Sequence, residues 1–116
     1  MDVLIVDDHP SFRTSARAVL EAEGFDVVGE AEDGASGLDA AAKLAPQLVL
    51  LDVHLPDIDG FEVAARLTNG GGGGPAVVLV SSRDSSDFGP LVSRSGAKGF
   101  IPKAELSGAA LRALLQ

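Results

Sequence analysis

Short apolar runs alternate with longer amphipathic segments along the whole chain. The runs at residues 3–6, 48–51 and 77–80 are continuous, which is typical of strands buried on both faces of a parallel sheet. Two shorter runs, residues 27–28 and 99–101, complete the set. The pattern therefore predicts five strands.

Between these runs the apolar residues follow helical spacing. The first predicted helix has its apolar side at Phe12, Ala16, Val19 and Leu20, with Gly24 as its stop. The second has Leu38, Ala41, Ala42 and Ala45, with Pro46 as its end. The segment "GFEVAARL" predicts a third helix, and residues 104–116 predict the last, with an apolar side of Leu106, Ala110, Ala113 and Leu114.

The segment before the fifth strand has an interrupted helical pattern. "SSRDSSDFGPLVSRSG" contains Gly89 followed by Pro90, and proline lacks a helical N–H and restricts the residue before it. We therefore predict a short fourth helix that begins near Pro90, preceded by a loose segment over residues 84–89.

Strict alternation of strands and helices with short connections indicates one α/β domain over residues 1–116. Right-handed crossovers between parallel strands place helices on both faces of such a sheet. The predicted fold is a doubly wound, five-stranded parallel sheet with the flavodoxin-like strand order 2-1-3-4-5. A chain of 116 residues leaves no room for a second domain.

Composition and charge exclude several classes of protein. No apolar run is long enough to cross a bilayer, and the start "MDVLIVDDHP" lacks a basic region, so we expect no membrane segment, no signal peptide and a cytoplasmic location. The absence of cysteine excludes disulfides and thiolate chemistry. The net charge of -8 argues against direct binding to nucleic acid and favours a protein or a metal ion as partner.

A glycine run occupies residues 70–74, within a predicted glycine-rich loop over residues 69–75. Phosphate-cradling loops lie between a strand and a following helix, whereas this run precedes a strand. We interpret it as a flexible connection, and no nucleotide cofactor is expected.

Polar side chains gather where the predicted strands end. Since the carboxyl ends of parallel strands meet at one edge of a sheet, these side chains should form one pocket. They are Asp7, Asp8, Asp52, Ser81, Ser82 and Lys103.

Each of these residues also has an ordinary structural interpretation. Asp8 is suited to cap the first helix, Asp52 to begin a loop, and Ser81 or Ser82 to cap a helix. Lysines such as Lys103 are usually solvated. The coincidence of all of them at one sheet edge favours a functional site.

The residue types suit phosphoryl transfer. Carboxylates that share a pocket repel one another unless a cation joins them, and an oxygen-only set favours Mg²⁺. Asp52 is then the natural nucleophile. The Ser81 hydroxyl and the Lys103 ammonium are suited to hold the phosphoryl oxygens.

The segments "LIVDDHP", "LVLLDVHLPDIDG", "VVLVSS" and "AKGFIPK" resemble the signature segments of response-regulator receiver (CheY-like) domains of two-component signalling. The resemblance implies Asp52 as phosphoacceptor and a Mg²⁺ site. The metal ligands it implies are Asp7, Asp8, Asp52 and the backbone carbonyl of His54. The phosphoryl-binding and switch residues are Ser81, Ser82, Lys103 and Phe100.

"DDHP" and "GFIPKAEL" are similar to receivers of NarL/FixJ-type regulators, which precede a helix-turn-helix output domain; no such output domain is expected in this chain. The resemblance implies a sensor histidine kinase or phosphotransfer protein as partner. It also implies a role in transcription regulation, a signalling surface formed by helix four, strand five and helix five, and a homodimer formed on phosphorylation. Outside its own phosphorylation and dephosphorylation, no enzyme activity is expected.

One departure from the family pattern concerns the rim of the site. Where many receivers have alanine or glycine, this chain has Ser82, followed by Arg83. Because Arg83 and His54 flank the predicted acceptor, we hypothesise an altered phosphoryl lifetime.

Two alternatives stay open. A receiver-like module that binds proteins without phosphorylation is favoured by the unusual fourth helix. A Mg²⁺-dependent phosphatase with an aspartate nucleophile would need a second acid two residues after Asp52, where this chain has His54.

Overall fold

The computed structural model describes residues 1–68, 74–82 and 88–116. Strands and helices alternate through these residues, as the sequence predicts. The strands are Asp2–Val6 (β1), Asp26–Ala31 (β2), Leu48–Asp52 (β3), Ala76–Ser81 (β4) and Gly99–Pro102 (β5). The helices are Pro10–Ala22 (α1), Gly34–Leu44 (α2), Gly60–Thr68 (α3), Pro90–Arg94 (α4) and Gly108–Leu115 (α5), with a 3₁₀ turn at Lys103–Glu105.

The five strands form one sheet in the order β2-β1-β3-β4-β5, and every neighbouring pair is parallel. The predicted doubly wound fold and its strand order are therefore confirmed. Strand β3 lies between β1 and β4 at the centre of the sheet, and all five of its residues are buried.

The core is divided between the two faces of the sheet. On one face Leu4, Val49 and Leu79 pack with residues of α2 and α3. On the other face Ile5, Leu50 and their neighbours pack with residues of α1 and α5. Alternate residues of a strand point to opposite faces, which is why the central apolar runs are unbroken.

Strand β2 is longer than its apolar run. The sequence predicts only residues 27–28, whereas the strand extends over Asp26–Ala31 with alternating exposed and partly buried residues. As an edge strand it needs apolar residues on few positions, and Val28 itself is 38% exposed. Polar residues such as Glu30 are therefore compatible with the strand.

The apolar sides of α1 and α2 are narrower than predicted. In α1, Ala16 and Leu20 are buried, whereas Val19 is exposed. In α2, Ala41 is buried, whereas Ala42 is exposed. The last predicted residue of α2, Ala45, lies just past the helix in a left-handed cap with φ 46°.

Helix α5 begins later than the sequence pattern suggests. Ser107 is its N-cap, and the Ser107 side chain accepts a hydrogen bond from the Ala110 N–H. Leu106 therefore lies outside the helix, although it still packs on the core. Ala110 and Leu114 also pack on the core, as predicted. Leu111, which the prediction omitted, is fully buried, whereas Ala113 is exposed, so the prediction was wrong at Ala113.

Helix α4 is short and begins at Pro90, as predicted. Gly89 precedes it with φ 45°, a backbone conformation that favours glycine. Most of the predicted loose segment, residues 84–87, lies outside the described residues, as do residues 69–73 of the glycine-rich loop. Within the described residues, no helix has the length and apolar character that crossing a membrane requires.

Candidate functional site

The ends of β1 and β3 bring two buried carboxylates together. Asp7 follows β1 directly and is 0% exposed, and Asp52 is the last residue of β3 and is 2% exposed. The two strands are neighbours, with Val6 paired to Leu51. Asp8 lies beside Asp7, with about a third of its side chain exposed. The predicted acid cluster is thus present at one edge of the sheet.

Lys103 reaches this cluster from the residue after β5. Its Nζ lies 2.7 Å from Asp7 Oδ2 and 3.4 Å from Asp52 Oδ2. The same ammonium lies 4.5 Å from the centre of the Phe12 ring, a cation–π distance. Lys103 is therefore a largely buried counterion of the site, not a solvated surface lysine.

His9 is a member of the cluster that the sequence reasoning missed. Its Nδ1 lies 3.0 Å from Asp7 Oδ1, 3.1 Å from Asp8 Oδ1 and 3.9 Å from Asp52 Oδ2. The His9 N–H also donates to Asp7 Oδ1, at 2.8 Å. The signal was its place directly after the acid pair in "DDHP", where it is the N-cap of a helix that begins at Pro10.

The environment of Asp52 disfavours its ionised form. Burial and the nearby charge of Asp7 raise the pKa of Asp52 above its ordinary value, against the opposing effect of Lys103. The His54 N–H donates to Asp52 Oδ1 at 3.2 Å, which favours the carboxylate. A divalent cation beside Asp52 would relieve the repulsion that remains beside the Lys103 ammonium.

The oxygen atoms of the cluster fit a hard divalent cation. Carboxylate oxygens of Asp7, Asp8 and Asp52 and a ring nitrogen of His9 all lie within 4.8 Å of one another. Asp7 Oδ2 and Asp8 Oδ1 are buried and accept no hydrogen bond from a described residue, although Lys103 and His9 approach them closely. Buried carboxylate oxygens with spare acceptor capacity are suitable ligands for Mg²⁺.

The predicted serines have different environments. Ser81 ends β4 and is fully buried, beside the strand that contains Asp52, whereas Ser82 is exposed. Phe100, in β5, is partly buried. His54 has an exposed side chain, and Arg83 lies outside the described residues, so the hypothesis on phosphoryl lifetime stays a prediction.

Phe88 is a second residue that the sequence reasoning missed. It belongs to the predicted loose segment, yet it is only 7% exposed. Its ring lies 5.3 Å from the Phe100 ring, 5.5 Å from the Phe61 ring and 5.9 Å from the His54 ring. Phe88 thus packs between His54, which follows Asp52 by two residues, and Phe100 of β5.

Arg13 connects the site to β2. Its Nη1 donates to the carbonyl of Asp7 at 2.6 Å, and its Nε pairs with Glu30 at 3.0 Å. Arg17 pairs with the other oxygen of Glu30 at 2.8 Å. This network fixes the backbone where the acid pair begins.

The family model for the response regulator receiver domain matches residues 3–116 of the chain. The chain belongs to that family. Receiver domains are components of two-component systems, in which they interact with histidine kinases. Their acidic pocket generally uses Mg²⁺, and receiver domains are generally not enzymes in the usual sense.

Transcription regulators are among the similar curated proteins. The virulence-factor regulator BvgA of Bordetella pertussis is 45% identical over 104 residues, which cover 89% of this receiver chain and 49% of BvgA. The nitrate/nitrite response regulator NarP of Escherichia coli is 38% identical over 102 residues, covering 87% of the chain and 47% of NarP. The chain thus spans about half the length of these relatives, and its likeness to NarL-type regulators is confirmed.

Solved receiver structures have the same fold. The signal receiver domain of the response regulator NarL from Mycobacterium tuberculosis superposes with a TM-score of 0.85 at 34% identity, covering 98% of this chain and 95% of that one. The BeF₃-activated receiver domain of Klebsiella pneumoniae RstA gives a TM-score of 0.83 at 32% identity, covering 99% and 95%.

Proposed function

We propose that this receiver domain accepts a phosphoryl group on Asp52, with Mg²⁺ held by Asp7, Asp8, Asp52 and the backbone carbonyl of His54. The observation that carries the proposal is the position of Asp52. It is a buried strand-end carboxylate with an ammonium 3.4 Å away and two further carboxylates beside it.

The residues supply each part of the transfer. An Asp52 carboxylate oxygen attacks phosphorus, and an O–P bond forms as the P–N bond of the donor phosphohistidine breaks, with the electron pair going to the imidazole nitrogen. When bound, Mg²⁺ neutralises charge on the phosphoryl oxygens. Lys103 and the Ser81 hydroxyl are the proposed protein donors to the remaining oxygens. Ser82, at the exposed rim of the site, is proposed to affect how the phosphoryl group enters.

The proposed response is a change in the surface formed by α4, β5 and α5. A phosphoryl group on Asp52 would draw Ser81 toward it and allow the ring of Phe100 to turn inward. Phe88 already fills space next to Phe100, so an inward ring must displace or repack it. A homodimer formed through this surface is part of the proposal.

A sensor histidine kinase or a phosphotransfer protein is the proposed donor, and a cytoplasmic location follows from that role. Because similar curated proteins such as BvgA are transcription regulators, we infer that this domain controls transcription through an output domain elsewhere. The charge of -8 makes direct contact of the receiver with DNA unfavourable.

Intact-mass spectrometry after incubation with acetyl phosphate tests the proposal. The wild type should gain one phosphoryl group in Mg²⁺ and none in excess chelator. Asp52→Asn should gain none, whereas Asp39→Asn, which changes an exposed acid of α2, should behave as the wild type.

Other outcomes favour the alternatives. No gain in the wild type would overturn the proposal and favour a module that binds proteins without phosphorylation. Rapid turnover of many phosphate esters without a lasting adduct would favour a phosphatase.

A further inference from the structure

The side chain of Asp57 joins the loop between β3 and α3 to the start of α2 by hydrogen bonds. Oδ1 of Asp57 accepts the Gly34 N–H at 2.8 Å, and its Oδ2 accepts the Ala35 N–H at 2.9 Å. These two N–H groups belong to the first turn of α2, where no backbone partner is available. Asp57 therefore caps a helix that begins 23 residues before it in the chain.

The same helix start has an ordinary cap as well. Asp33 precedes α2, and its Oδ1 accepts the Ser36 N–H at 2.8 Å in a capping box. Two carboxylates thus share one helix N-terminus. Asp33 supplies the local cap, so Asp57 is not needed to begin the helix, and its contact joins two separate parts of the structure.

The contact between loop and helix is close as well as polar. Gly34 faces Ile58, and a Cβ built on Gly34 would overlap the Ile58 side chain. The Ile58 N–H donates to Asp57 Oδ1 at 2.9 Å, which holds the carboxylate in place. These hydrogen bonds, that from Gly34 foremost, lower the pKa of Asp57, so it is a carboxylate at neutral pH.

The loop between β3 and α3 contains the proposed carbonyl ligand of the metal, His54. At one end Val53 is held by two backbone hydrogen bonds, from its N–H to Val80 at 3.0 Å and from Gly60 to its carbonyl at 2.8 Å. The His54 N–H donates to Asp52 Oδ1 at 3.2 Å, and Asp57 is the next residue of the loop that is hydrogen-bonded to another element. The His54 carbonyl lies between these two anchors, so its position depends on both.

We propose that Asp57 is a positioning residue of the site, which fixes the His54 carbonyl for Mg²⁺ by joining its loop to the N-terminus of α2. This inference rests on the proposed function. It deepens that function by adding a residue that touches neither the metal nor the phosphoryl group. Residues that orient metal ligands commonly change metal affinity by tenfold or more when they are lost.

Calorimetric titration with MgCl₂ tests the proposal, and it suits a chain that has no tryptophan for fluorescence. Asp57→Ala should weaken Mg²⁺ binding by about tenfold. Asp33→Ala is the matched control, because it removes a carboxylate from the same helix start without touching the loop. Both variants should unfold at lower urea concentration, but Asp33→Ala should keep wild-type Mg²⁺ affinity.

Amide exchange measured by NMR gives a second readout. Binding is reciprocal, so Mg²⁺ should slow exchange of the Gly34 and Ala35 amides in the wild type. The Ser36 amide, held by Asp33, should change little. If Asp57→Ala does not fold, Asp57→Asn keeps one acceptor oxygen and should give an intermediate loss of affinity.

Equal Mg²⁺ affinities in Asp57→Ala and wild type would overturn the inference while leaving the proposed function intact. Equal losses in Asp57→Ala and Asp33→Ala would also overturn it, since Asp57 would then be only a helix cap. Absence of Mg²⁺ binding in the wild type would overturn the metal site and the inference together.

Discussion

The ammonium of Lys103 lies nearer to Asp7 than to Asp52, at 2.7 Å against 3.4 Å. Asp7 has no exposed side-chain surface, and among the described residues Lys103 is the cation nearest to this buried carboxylate. The lysine therefore stabilises the fold in addition to its proposed role toward a phosphoryl group.

Lys103→Met should lower the free energy of unfolding by about 3–5 kcal/mol, the usual result of removing one partner of a buried ion pair. Methionine keeps an apolar stem against Phe12, so the loss reports mainly on charge. Urea denaturation measures it, and saturating Mg²⁺ should recover part of the loss. Lys98→Met, at an exposed position, is the control, and equal losses in the two variants would contradict the prediction.

Asp52→Asn should stabilise the protein at neutral pH in the absence of divalent ions. Burial and the Asp7 charge raise the pKa of Asp52, so its ionised form is disfavoured in the folded state. An amide removes that charge, and we expect a gain in free energy of unfolding. Thermal unfolding in chelator measures it, and Asp39→Asn should leave the midpoint unchanged. A lower midpoint for Asp52→Asn would contradict the prediction.

Phe88→Ala should lower the free energy of unfolding by about 3–5 kcal/mol, as for other buried phenylalanines. Phe88→Leu should cost less because it leaves a smaller cavity. The exposed Leu91 of α4 offers a control, since Leu91→Ala should cost little. Urea denaturation compares the three variants, and a loss for Phe88→Ala no larger than for Leu91→Ala would show that Phe88 is not part of the core.

Local pattern was sufficient to predict the fold and the acid cluster. The unbroken runs at residues 3–6, 48–51 and 77–80 indicated buried strands, and the flavodoxin-like strand order then predicted that their carboxyl ends meet at one edge. Boundaries were less predictable: α5 begins at Gly108, after its cap Ser107, although the apolar spacing extends back to Leu106. At this end of α5 the Ser107 cap, and not the apolar spacing, determines where the helix begins.

Contacts between distant segments were not predictable from spacing. Nothing in the local pattern of Phe88 indicates that it packs against Phe100 and Phe61, because the neighbouring Gly89 and Pro90 suggest only a break. The hydrogen bonds that Asp57 accepts from the start of α2 were likewise not predictable from spacing. Both depend on where the loops beyond the sheet edge come to lie.

Glu30 gives the pH-dependent prediction. Its carboxylate accepts from Arg17 at 2.8 Å and from Arg13 at 3.0 Å, and the Arg17 bond foremost lowers the pKa of Glu30 below its ordinary value of 4.5. A lowered pKa in the folded state means that this stabilisation is complete above pH 4.5 and is lost as the pH falls through the folded value.

Glu30→Gln should therefore be less stable than the wild type at neutral pH, by about 1 kcal/mol because the pair is partly exposed. The difference should shrink as the pH falls below 4.5 and as salt is raised. Urea denaturation between pH 7 and pH 3 measures it, with the exposed Glu32→Gln as control. Since Arg13 also holds the Asp7 carbonyl, a difference that persisted at low pH would mean that Glu30 acts by placing Arg13 and not by its charge.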